Sequence, residues 1–96
     1  MFYDDYLNKI KTQFLNDQNS LQALFFQLKS AQKEINARKS YYNYIKAKFD
    51  EGLSDSSDLN KAIANLADAK AKKENIKANI FFLEQKLIID SGIDNL

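Results

Sequence analysis

Carboxylates gather at one place in this chain: Asp50, Glu51, Asp55 and Asp58 stand around Gly52. Such acids could act as a general acid and base, or hold calcium. A calcium loop needs oxygen ligands at alternating positions, a central glycine and a closing glutamate. Here Gly52 precedes Asp55 and Asp58, and no glutamate closes the spacing. The acids read as caps on a solvated turn. A second charged group, Lys70, Lys72, Lys73 and Lys77, has no aromatic residues interleaved to stack bases. It reads as a wet helix face.

The rest of the inventory excludes more. The 96 residues contain no histidine and no cysteine, so nitrogen and sulfur metal sites are out, and so is thiol catalysis. Gly52 and Gly92 are the only glycines, so there is no glycine-rich phosphate loop. No enzyme, cofactor or metal is expected. The net charge of +1 gives no electrostatic case for nucleic acid. No apolar run approaches the roughly 18 residues a membrane-spanning helix needs, so the segment is expected to be soluble. Met1-Phe2-Tyr3-Asp4-Asp5 has acids where a signal peptide has lysines, and no apolar stretch follows. It reads like the inside of a helix behind a start methionine, as in a segment of a longer protein.

The elements that place these residues are helices. Proline is absent, and 45% of residues are hydrophobic against 28% charged, so little interrupts helix. Leu7, Phe14, Leu21, Leu28, Ile35, Tyr42 and Phe49 recur every seven residues. Tyr3, Ile10, Asp17, Leu24, Ala31, Arg38 and Ile45 form the companion series, with two polar breaches. In the second half Leu59, Leu66, Lys73, Ile80 and Leu87 pair with Ala62, Ala69, Ile76 and Leu83. These are heptad seams.

The break between the seams predicts the turn. Gly52 suits a left-handed position after a helix end. Leu53 is expected to fold back near Ala47 and Phe49, and Asp55 to cap the next helix. The expectation is an all-α chain: one long antiparallel two-helix coiled-coil hairpin over 1–96, with helices at about 2–51 and 56–90 and a turn at 52–55. The first helix would be about 75 Å long. Residues at one height then have numbers summing to about 107, which matches Leu24 with Leu83, Ala31 with Ile76, Leu28 with Ile80, Ile45 with Ala62, Leu21 with Leu87 and Phe14 with Ile93. Tyr41, Tyr42 and Tyr44 would face Ala62, Ala64, Ala67 and Ala69, large against small. Lys73 and Arg38 would snorkel to the seam's edge.

One seam does not use all the apolar bulk. Phe25, Phe26, Tyr41, Tyr44, Phe81, Phe82, Ile88 and Ile89 lie off it. Helices apolar on more than one face have more than one neighbour. Phe25, Phe26, Tyr41, Tyr44, Phe81 and Phe82 are therefore expected to form an oligomer face, within a larger helical bundle or α-barrel.

Lys48-Phe49-Asp50-Glu51-Gly52-Leu53, then Asp58-Leu59 and Ala62, then Leu66, Ala69, Ala78, Leu87 and Gly92, resemble the TolC family of outer-membrane efflux proteins. The likeness covers about residues 40–93; upstream only the periodicity fits. It implies a trimeric parent with a membrane-embedded β-barrel and a periplasmic α-barrel built from such hairpins, in a Gram-negative outer membrane. It also implies that Phe49, Gly52, Leu53, Ser54 and Asp55 form the tip that meets the hairpins of a periplasmic adaptor in a tripartite export pump. Asp58 would be an acid at the channel entrance, raising local cation concentration. Two other readings stay open. One is the adaptor's own coiled-coil hairpin, whose tip pattern has Arg, Leu and Ser where this chain has Tyr44, Lys48 and Asp55. The other is a stand-alone coiled-coil interaction module.

Overall fold

The structure, a computed structural model, describes the backbone of residues 2–94 and the side chains of residues 2–92. The described residues form two helices and no strand: α1 (Phe2–Asp50) and α2 (Ser56–Asp94). The turn at 51–55 joins them into the expected helical hairpin. The bounds differ at two ends. Helix α1 stops at Asp50, because Glu51 and Gly52 already belong to the turn. Helix α2 runs past residue 90 and through Gly92. Glycine inside a helix costs only about 1 kcal/mol relative to alanine, and among the described residues only Gly52 takes a positive φ. Among the described residues, no helix is long and apolar enough to cross a membrane.

Contacts divide the chain into two compact units, Leu28–Asn75 on one hand and Met1–Gln27 with Ile76–Leu96 on the other. In the unit Leu28–Asn75, α1 buries Ala31, Ile35 and Ile45, and α2 buries Ala62 and Ala69. Leu28, Arg38, Tyr42, Leu59, Leu66 and Lys73 are half-buried. All of these are heptad positions. Burying an isoleucine contributes about 2 kcal/mol, and the alanines opposite let the helices approach. The antiparallel register shows in the polar contacts that cross the seam. Lys73 Nζ donates to Gln32 Oε1, and Lys72 Nζ pairs with Glu34 Oε2 at 3.8 Å. The residue numbers sum to 105 and 106, close to the expected 107. Arg38 lies along α1 and pairs with Glu34 at 3.2 Å. Both seam cations therefore reach partners at its edge.

The tyrosines depart from expectation. Only Tyr42 turns inward, bordering a furrow with Ile63, Leu66, Ala67 and Lys70. Tyr41 and Tyr44 are 54% exposed, and Ala64 and Ala67 are exposed too. Tyr42 and Ile45 hold the seam positions, so residues 41 and 44 are rotated onto the flank at 100° per residue.

In the other unit, α2 buries Ile76 and Ile80. Leu7, Ile10, Phe14, Leu21 and Leu24 of α1 are half-buried, as are Leu83 and Leu87 of α2. Asp17, a breach in the seam, meets Lys86: Nζ lies 3.0 Å from Oδ2, an ion pair by distance but not aligned as a hydrogen bond. Tyr3, placed in the seam by its spacing, is 70% exposed. The expected pair Phe14 with Ile93 lies outside the described residues.

Candidate docking tip

The tip is built from the backbone outward. Gly52 has φ +75°, the left-handed region that side chains disfavour. Its N–H donates to Phe49 O at 3.0 Å, and the Leu53 N–H donates to Lys48 O at 2.8 Å. These two bonds make a Schellman motif, which satisfies carbonyls that the end of α1 would leave bare. The left-handed assignment of Gly52 therefore holds.

Asp55 starts α2. Its Oδ1 accepts the Asp58 N–H at 2.9 Å, and its carbonyl accepts the Leu59 N–H at 3.3 Å. That is N-cap geometry, and acids there also face the positive end of the helix dipole. Ser54 Oγ donates to Asp58 Oδ2 at 3.3 Å, so the Asp58 carboxylate is tied back across the cap. Backbone and side chains fix the turn from both sides.

Leu53 does not fold back. It is 71% exposed, and Phe49 is 38% exposed. Leu53 is left in solvent by the turn, in a stretch of sequence that also carries Asp50, Glu51, Asp55 and Asp58. The tip thus exposes Leu53, and Phe49 to a lesser degree, in a turn rich in acids.

One cation belongs to the same region. Lys48 Nζ sits 4.6 Å from the centre of the Tyr44 ring, a cation–π contact. The Lys48 pKa is pushed up, first by Tyr44 through hydrogen bonding and charge, with Glu51 adding a smaller pull. Sequence reasoning missed this pair, although its i, i+4 spacing was the available signal.

Of the proposed oligomer face, Phe25 (47% exposed), Phe26, Phe81 and Phe82 lie in the unit holding both chain ends, and Tyr41 and Tyr44 in the unit holding the tip. All six are exposed, so the hairpin itself does not cover them. Leu15 and Ile63 are exposed as well; each lies just beside a seam residue, where heptad spacing alone gives no warning. The described residues contain no group of three or more acids, histidines or cysteines placed to hold a metal ion. Comparison with protein-family models, curated proteins and solved structures found no match.

Proposed function

We propose that this chain is the periplasmic α-helical hairpin of an outer-membrane efflux channel of the TolC type, and that its tip docks the periplasmic adaptor of a tripartite export pump. The observation that carries the reading is the tip. A glycine-locked Schellman turn leaves Leu53 exposed in a turn rich in acids, at the position where the sequence resembles that family. A fixed apolar anchor limits the side-chain ordering cost of binding. In the parent protein, neighbouring hairpins would cover the exposed aromatic residues, and Asp58 would stand near the channel entrance. The assembled trimer conducts; this hairpin contributes the docking end.

The test is direct binding. The chain is titrated with an adaptor-type hairpin bearing Arg, Leu and Ser at its tip, followed by calorimetry. Saturable one-site binding that Leu53→Asp removes supports the reading. No binding by the unaltered chain, or equal binding by the variant, overturns it.

A further inference from the structure

We infer that one flank of the unit Leu28–Asn75 is a docking furrow for an acidic amphipathic helix of a partner protein. The inference stands apart from the efflux reading and uses neither the tip nor an adaptor.

The furrow is built by heptad spacing. Tyr42, Ile63, Leu66, Ala67 and Lys70 line one stretch of it, and Gln32, Ile35, Lys70, Lys73 and Glu74 line the next. Lys70 belongs to both, so the two stretches are continuous. Along α2, Ile63, Leu66, Ala67, Lys70, Lys73 and Glu74 follow the three- and four-residue steps of one helix face. Ile63 is 46% exposed, and Leu66 and Tyr42 are half-buried, so the floor at this end is apolar and open. On α1, Lys39 and Lys46 follow Gln32 by seven and fourteen residues, so they repeat its place along the furrow. One edge therefore carries Gln32, Lys39 and Lys46, and the other carries Ile63 and Lys70.

Charge says what fits. From Leu28 to Lys48 and from Leu59 to Asn75, ten lysines and arginines stand against three acids. Two of those acids, Glu34 and Asp68, line a separate furrow with Arg38 and Lys72. Lys73 is held by Gln32. Lys39, Lys46 and Lys70 are exposed and make no ion pair among the described residues. Unpaired cations beside an apolar floor complement apolar side chains flanked by carboxylates. A helix seats between two packed helices when its apolar residues recur at three- and four-residue steps. The stripe from Ile63 to Glu74 is about 16 Å long, enough for anchors on three successive turns. A second copy of this chain would bring the same excess of lysine to the contact and be repelled. A nucleic acid would meet the lysines and leave Ile63 and Leu66 unused.

Fluorescence anisotropy tests this with a labelled peptide of about 18 residues, long enough to form helix. It carries leucine along one face and glutamate beside it. Saturable binding is expected, weaker by about fivefold or more at roughly 300 mM salt than at 50 mM. Glutamine in place of the peptide's glutamates, or serine in place of its leucines, should each weaken binding by about tenfold or more. In the chain, Lys39→Glu with Lys70→Glu should weaken it by about tenfold or more, and Ile63→Ser by about fivefold, with an unchanged helical circular dichroism spectrum. Lys33→Glu with Lys61→Glu makes the same change of charge away from the furrow and should alter binding by less than about twofold. No saturable binding, equal loss from the Lys33 and Lys61 changes, or an oligonucleotide of equal charge bound as tightly as the peptide would each overturn the inference.

Discussion

Lys86 of α2 stands 3.0 Å from Asp17 of α1 across a seam that is otherwise apolar there. Asp17 is the more enclosed partner, its side chain 14% exposed against 45% for Lys86. A buried ion pair is weak evidence of stability, because desolvation offsets its attraction, whereas a carboxylate left alone is costly. Asp17→Leu should therefore stabilise the hairpin by about 1 kcal/mol. Lys86→Met should destabilise it by about 1–2 kcal/mol, discounted because the lysine is half in water. Urea unfolding of both single variants and the double variant checks this. If Asp17→Leu proved the more damaging change, the pair would be holding the register rather than tolerating it.

Gly52 isolates backbone strain from packing. A Cβ built there meets nothing within 4 Å, so a side chain has room and only the φ of +75° resists it. Gly52→Ala should cost about 1–2 kcal/mol, and Gly52→Val at least as much. Gly52→Asn should cost less, since asparagine tolerates this region. Thermal melting that ranks the three as Asn, Ala, Val in order of increasing loss supports the Schellman geometry; an unmoved midpoint for Val removes it.

The Asp55 side chain accepts a single capping bond, from the Asp58 N–H to its Oδ1. Asp55→Ala should cost about 1 kcal/mol, while Asp55→Asn should keep most of the stability because the amide oxygen can accept the same bond. Amide hydrogen exchange at Asp58 and Leu59 is the local readout. Faster exchange in the alanine variant, and not in the asparagine one, is expected.

Most of the hairpin was legible because a seven-residue repeat carries its own check. Two stripes located separately shared one antiparallel register, and Gln32 with Lys73 and Asp17 with Lys86 keep to it within a few residues. Gly52 was legible for a related reason, since few residues other than glycine sit easily at that φ. The flanks were not. Seam periodicity says which residues face inward and nothing about rotation just outside, so it does not distinguish Tyr41 and Tyr44, which are exposed, from Tyr42, which borders the alanine-lined furrow. A hydrophobic contact often accompanies a Schellman motif, which is the ground for expecting Leu53 against the helix. Here the position before it in that contact is Lys48, whose ammonium lies over Tyr44, and Leu53 stays in solvent.

That exposure gives Leu53 its test. The side chain makes little contribution to the fold, so Leu53→Asp should leave helicity and melting within about 0.5 kcal/mol of the parent chain. It also adds a fifth carboxylate to the four that flank the turn in sequence, so it removes the apolar anchor and raises local repulsion together. Leu53→Ala removes the anchor alone. If Leu53 seats in an apolar pocket of an adaptor hairpin, alanine should weaken binding by about 1–2 kcal/mol, or roughly 5–30-fold, and aspartate by more. Raising salt should then recover part of the loss in Leu53→Asp and none of it in Leu53→Ala, because only the first involves charge. Calorimetry at two ionic strengths separates the effects. Equal binding by all three chains would place the docking contact away from the turn.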